Sequence, residues 1–427
     1  MNKIASVKLG DLIEFQRGYD LPKSQFIKGE YPVQASNGVL GYHNEFKVKG
    51  PGITIGRSGT VGLPHLVKLN FFPHNTTLFV KDFKGNDIEY IFYLLKNLKL
   101  GDKKSGSSVP TMNRNHLHPI KIIAYKNLPT QKSIAKVLSD LDAKIELNNK
   151  INRELEAMAK TLYDYWFVQF DFPDSAGKPY KSSGGKMVYN AELKREIPEG
   201  WEAKKLSQIA KTGSGGTPLS TKREYYENGN IPWINSGEVN EPWIVSTSNF
   251  ITQKGLDNSS AKLFRRGTIL MAMYGATAGK VSLIDIEACT NQAICGISPN
   301  KEFYKSFIKF GLEDLYKYLI NLSSGSARDN LSQDKIKELR FIIPNDSLLM
   351  QFDKLVQPIM KKILTNLKQN QHLTTLRDWL LPMLMNGQVV STGSTTTTGS
   401  TTAMPVPEPV EGMAAEPSVE YNTKTNV

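Results

Sequence analysis

The residues of this chain best suited to chemistry are those that bind rather than those that catalyse. Two groups of loop positions mix basic, amide, hydroxyl and aromatic side chains. The first group is Arg17, Lys23, Asn37, His43, Arg57, Ser58 and Arg114, and the second is Lys222, Arg223, Tyr226, Asn235, Tyr274 and Arg328. A guanidinium suits phosphates and guanine edges, and a carboxamide suits adenine edges. Both groups are therefore candidate DNA-contact residues, with a surface role lacking any partner the equal reading for each one alone. Trp233 and Trp243 are expected to anchor core or loops rather than to stack on bases.

Catalytic patterns fail on specific residues. MYGATAGKV, Met273–Val281, comes closest to a phosphate-binding loop, but Tyr274 stands where the first glycine is needed and Val281 where a magnesium-binding hydroxyl is needed. GSGGTP at Gly213–Pro218 has no Gly-Lys-Ser/Thr after it, and no GxGxxG opens a helix. A nuclease needs clustered carboxylates to hold magnesium, whereas the acids here are scattered, mostly beside lysines. An adenine or cytosine methyltransferase needs an Asn-Pro-Pro-Tyr-like loop, and no such Pro-Pro pair occurs. Local sequence suggests no Ser/His/Asp or Cys/His arrangement. Six histidines lie scattered, and Cys289 and Cys295 share one apolar segment without further ligands, so no metal site is expected.

Composition is that of an ordinary globular chain, with 427 residues, 40% apolar and 22% charged, enough for two or three domains. The formal net charge of +12 favours a polyanion as partner, because lysine and arginine release counterions from phosphates. No long apolar run spans a membrane, and MNKIASVKLGDLIEF lacks a signal-peptide core. A cytoplasmic, disulfide-free protein is the expectation.

Two long amphipathic helices must position the loops. Leu128–Trp166 has proline only at its entrance, Pro129, and no glycine. Its apolar stripe runs through Ile134, Leu138, Leu141 and Ile145, breaks at the polar Asn148 and Asn149, and resumes through Ile151, Leu155, Met158 and Leu162. Such a helix spans roughly 55 Å and needs a partner for its stripe. Ser347–Met385 supplies one, through Phe352, Leu355, Ile359, Ile363 and Leu376. The two overlay at a constant offset, Leu141 on Ile359 and Ile145 on Ile363. The expected fold class is thus α+β, with two repeated domains separated by two long antiparallel helices that form a coiled coil. Pro358 is expected to kink the second helix or to mark where its regular part begins.

The domains themselves repeat. KLGDLIEF at Lys8 echoes KKLSQIAK at Lys204, and PGITIGRSGTVG at Pro51 echoes RGTILMAMYGATAG at Arg266. SGSSVPTMNRNHLHPIKII at Ser105 echoes SGSARDNLSQDKIKELRFII at Ser324. The growing offset places extra residues near the start of the second copy, including GGTPLSTKREYYENGNIPWINSGEVN. The expected divisions are a first domain at 1–127, a long helix at 128–170, a linker with little core at 171–194, a second domain at 195–345, a second helix at 346–388 and a disordered tail at 389–427.

Several of these phrases in one order resemble the specificity subunit of type I restriction-modification systems. They are IPEGWEAKKLSQIAKTGSGGTP, IPWINSGEV, SGSARDNLSQDKIKELRFIIP, the helix entrance LPTQKSIAKVLSDLDAKI and the linker FPDSAGKPYKSSGG. The likeness covers residues 1 to about 390. The second helix entrance, NDSLLMQFDKLV, departs from the family pattern, which bears on its capping. The resemblance implies that each domain is a target recognition domain reading one half of an asymmetric bipartite sequence in double-stranded DNA. It implies that the helices set the spacer and dock two methyltransferase subunits, with restriction subunits joining that core. It further implies a chain with no catalysis of its own, S-adenosylmethionine, ATP and magnesium being bound by the partner subunits. A stand-alone DNA-binding regulator without methyltransferase partners is the alternative.

Overall fold

A computed structural model describes residues 4–102, 112–316 and 331–388. The tail at 389–427 and Arg328 lie outside the described residues. Two long helices organise the rest. The first, Leu128–Tyr163, begins where the Asn127 carboxamide oxygen accepts the Thr130 amide at 3.0 Å, with Pro129 in the opening turn. It ends in a single π-type turn, Asp164–Val168. The second, Asp346–Met385, is capped the same way, Asn345 accepting the Leu348 amide at 2.9 Å. The departure at the second entrance therefore leaves the cap intact. Pro358 does not mark where the regular helix begins: one 40-residue element runs through both Pro358 and Pro382.

The helices lie antiparallel against each other. Asp142 meets Arg377 at 2.6 Å, Asn148 meets Asn370 at 2.9 Å and Asn152 meets Asn366 at 2.8 Å, so one numbering rises as the other falls. Ile134, Leu138, Phe352 and Ile363 are buried, and Leu141, Ile145, Leu155, Leu162 and Ile359 are half-buried. Two expected seam residues are misplaced: Leu355 is 50% and Leu376 is 42% exposed. The inward stripe of the second helix instead runs Phe352, Val356, Met360, Ile363. Leu355 therefore falls one position off it, and beside Leu376 the inward place goes to Arg377. The polar break of the first helix also changes meaning, because Asn148 is 1% exposed and sits inside the seam.

Each helical end carries one α+β domain, termed here a head. In the first head, Glu14–Arg17, Thr77–Asp82, Gly52–Gly56 and Pro64–Val67 form an antiparallel four-stranded sheet in that order. Gly38–His43, Tyr31–Ala35 and Phe72–Pro73 form a second sheet, and Ile4–Lys8 pairs with Lys121–Tyr125. The second head has the corresponding five-stranded sheet (Ala210–Ser214, Ile294–Pro299, Ile269–Ala272, Val281–Ile284, Trp243–Ile244), a second sheet around Ile231–Ile234 and the pair Glu202–Lys205 with Arg340–Ile343.

The duplication extends to individual backbone hydrogen bonds. Leu9 N–H to Ile120 O matches Leu206 N–H to Leu339 O, and His74 N–H to Gln34 O matches Asn291 N–H to Ile234 O. Gly62 N–H to Gly56 O, at 2.8 Å, matches Gly279 N–H to Ala272 O, also 2.8 Å, with φ of +79° at both donor glycines. These matches place most of the extra residues of the second copy between Ile234 and Ala272, later than the sequence suggested.

The segment after the first helix is no bare linker. Phe170 and Phe172 are buried, Phe172 stacks on Tyr180 and Trp201 at 4.6 and 5.0 Å, and Met187–Asn190 pairs with Arg195–Pro198 as a hairpin. The buried Asp171 carboxylate accepts both the backbone N–H and the hydroxyl of Ser182, which closes this loop and lets a Gly/Ser/Lys-rich stretch carry an aromatic core.

Candidate nucleic-acid interface

The helices fix each head by buried polar contacts as well as packing. Gln131, fully buried, accepts the Asp87 amide at 2.9 Å and donates to Asn86 and to the Tyr125 carbonyl, both at 2.7 Å. Further along, the Tyr93 hydroxyl donates to Asp142 at 2.7 Å, and Arg377 of the second helix holds the other carboxylate oxygen. The second head is held by Trp243 donating to Glu156, by Lys160 paired with Asp314 at 2.6 Å, and by Tyr163 buried among Phe307, Phe310 and Phe352. Trp243 is thus an anchor, and so is Trp233, which donates to the Gly216 carbonyl at 3.1 Å. The two sets of anchors are centred roughly 35 Å apart along the helix axis at 1.5 Å per residue. That is about one turn of duplex DNA, roughly 34–36 Å.

In the first head three of the candidate residues converge. Arg17 at the end of its strand, Arg57 in the glycine-flanked loop and Arg114 at the start of the short helix Arg114–Leu117 line one hollow of ≈ 580 Å³. Gln16, Tyr19, Asp20, Asn113 and Asn115 complete its polar wall. These five were not singled out from sequence, although Asn113 and Asn115 flank Arg114 directly. Arg57 is held by its backbone, its N–H donating to Thr76 O and its carbonyl accepting from Met112, both at 2.8 Å. Arg17 lies 3.5 Å from the Asp20 carboxylate. Ser58 is half-buried beside Arg57, while Lys23 and Asn37 are exposed on separate turns outside the hollow lining.

Other candidates serve the fold. His43 is 6% exposed, its Nδ1 accepts the Ile27 amide at 3.1 Å, and its ring packs edge-on against Phe72. It is a core histidine and presents nothing to a duplex. The Asn235 amide is consumed at the start of a short helical turn, accepting from Gly237 N–H at 2.9 Å and donating to Glu238 at 3.0 Å. The Tyr226 hydroxyl donates to the Pro218 carbonyl at 2.5 Å, its ring packs on the core around Ile251 and Cys289, and burial raises its pKa. Lys222 lies over the Tyr225 ring at 5.2 Å, Arg223 is exposed within 3.9 Å of Glu227, and Tyr274 is half-buried on the core of its head. Arg328 is outside the described residues.

Burial pushes the Cys289 and Cys295 thiols up to about 11 and about 12, so both stay protonated and unreactive at neutral pH. Among the described residues no group of three or more His, Cys, Asp or Glu could hold a metal ion, and no helix is long and apolar enough to cross a membrane.

Known proteins place this architecture. The S subunit of a type I restriction-modification system from M. genitalium has the same fold, with a TM-score of 0.60 over 90% of this chain and 96% of that one at 18% identity. The MjaIX type I restriction enzyme specificity subunit of Methanocaldococcus jannaschii is 32% identical over 311 residues, 70% of this chain and 69% of its own. The HindI specificity subunit of Haemophilus influenzae is 30% identical over 318 residues, 62% of this chain and 68% of its own. The type I restriction modification DNA specificity domain matches residues 1–157 and 198–377, one match for each head with its helix. The chain belongs to the type I restriction-modification DNA specificity family.

Proposed function

We propose that the chain is the DNA-specificity subunit of a type I restriction-modification complex, each head reading one half of a bipartite target. One observation carries this reading. Two heads built on matching backbone hydrogen bonds, but with different side chains at the matching places, are fixed at opposite ends of a paired-helix rod. Such a body touches two short, unlike sequences at a set separation and leaves the bases between them unread. Family membership favours this over a stand-alone regulator, since the relatives are specificity subunits of restriction enzymes. The helical rod is the docking surface for two methyltransferase subunits, to which restriction subunits add. The chain itself supplies no catalytic group, and S-adenosylmethionine, ATP and magnesium belong to those partners.

Single-molecule methylome sequencing of the host, with and without the gene, tests the proposal. The expected result is the loss of one asymmetric motif, two short adenine-methylated halves around a spacer of fixed length. An active methylation system that keeps every motif when the gene is removed would refute it.

A further inference from the structure

We infer that the arginine hollow of the first head grips the phosphodiester backbone of one strand, and that the described residues of the second head form no such grip at the matching place. This rests on the DNA-specificity reading and deepens it, by separating where the chain holds DNA from where it reads it.

The matching backbone bonds make the comparison position by position. Gly18 N–H to Thr77 O corresponds to Gly215 N–H to Ile294 O, which sets Arg17 against Ser214. Arg57 N–H to Thr76 O corresponds to Met273 N–H to Ala293 O, and Met112 N–H to Arg57 O corresponds to Leu331 N–H to Met273 O, which sets Arg57 against Met273. Arg114 and Gln333 are each the first residue of a short helix, capped by Asn113 and Ser332. Three guanidiniums in one head are thus a hydroxyl, a thioether and an amide in the other.

The second head also closes the place that the first leaves open. Ser214 donates to Gln333 at 2.7 Å, Gln333 donates to Thr212 at 2.9 Å, and Met273 is 2% exposed. In the first head Arg17 keeps half its side chain in solvent and Arg114 is exposed. Among the described residues Asp20 is the one carboxylate in the lining, against three arginines, so the hollow keeps a net positive charge.

Shape decides between backbone and base. Base edges lie on the floor of a groove and are reached by protruding elements, whereas phosphates stand out on ridges. A concave wall carrying three arginines fits a ridge. Its binding should therefore release counterions without carrying sequence information.

The test uses the full chain assembled with its methyltransferase partners and the duplex target found by methylome sequencing. Affinity is measured across a range of salt for the parent, for Arg17→Gln, Arg57→Gln and Arg114→Gln singly and together, and for Arg57→Lys. Each loss of charge should flatten the plot of log affinity against log salt by about one, and the triple variant by about three. Arg57→Lys should keep the parental slope. The penalty for mismatches in either half-site should stay as in the parent. An unchanged slope in the triple variant overturns the inference, and so does a mismatch penalty that collapses at one half-site, which would make the arginines base readers. A parent that binds duplex DNA with the expected slope but prefers no sequence would sink the specificity reading and leave the grip standing. A parent that binds no DNA sinks both.

Discussion

His118 shows how a single side chain couples the first head to its surroundings. Its Nε2 accepts the Phe15 amide at 3.0 Å and its ring stacks on Phe15, so this nitrogen must be unprotonated in the folded chain. Burial, followed by the positive charges of Lys84 and Arg114, holds its pKa below the usual histidine value, with Glu14 opposing them. The unfolded chain takes up the proton near pH 6.5, and the folded chain resists it. As pH falls the unfolded state thus binds more protons, so the stability contributed by neutral His118 is complete above about pH 6.5 and is lost as pH drops through the lower, folded-state value. His118→Gln keeps an acceptor for the amide and removes the titration. Its urea midpoint should fall less between pH 7 and pH 5 than that of the parent, and parallel falls would contradict this. Residue types alone could point to Arg17, Arg57 and Arg114, because arginines set among glycines, as at Arg17 and Arg57, or between two asparagines, as at Arg114, have little structural use. They could not show that His43, Asn235 and Tyr226 are spent on backbone groups of Ile27, Gly237 and Pro218, since those partners are set by the tertiary fold.

Among the elements, the paired helices were legible from apolar spacing, but the middle of their seam was not. Periodicity marks Asn148 and Asn149 as an interruption, whereas the structure makes them part of an amide ladder that runs from the exposed Asn149 to the buried Asn148, Asn152 and Asn366. Asn148 donates to both Gln369 and Asn370 at 2.9 Å, Asn370 donates to Asn149 at 2.8 Å, and Asn366 donates to Asn152 at 2.8 Å. Buried amides of this kind fix register at some cost in stability, because only one alignment satisfies them all. The physical consequence is strong coupling between Asn152 and Asn366. Asn366→Leu alone leaves the Asn152 amide buried without its donor and should cost about 1–3 kcal/mol. Asn152→Leu with Asn366→Leu should recover most of that loss, because an apolar pair replaces the whole interaction. Denaturant melts of the two single variants and the double variant measure the coupling. Additive losses would mean that the ladder carries no register information.

For the whole molecule, the duplicated plan makes the chain nearly cyclic. The first long helix leaves the first head and arrives at the second, and the second helix makes the return journey. Its end comes back to the start of the chain, where Gly387 lies against the Tyr125 hydroxyl and the Ile4 side chain. The two connections between heads are thus equivalent, although only one is covalent at both ends. The sequence showed the repeat but not this closure, because closure depends on the antiparallel sense of the helices and on both heads clasping both of them. Order along the chain should then matter less than the helix pair. A permuted chain tests this, with Gln388 joined to Ile4 by a short Gly/Ser bridge and new ends opened at Gly184, whose φ of +88° lies in a turn with open space beside it. It should melt within about 1–2 °C of a parent truncated at Gln388, the shift expected for roughly 1 kcal/mol in a chain of this length, and it should restore the same methylated motif in a host lacking the gene. The expectation has a physical limit at the new ends, because Phe172, Tyr180 and Trp201 stack just before and after them. If the permutant folds but methylates a motif with a different spacer, then the native linker, and not the helix pair, sets the separation of the heads.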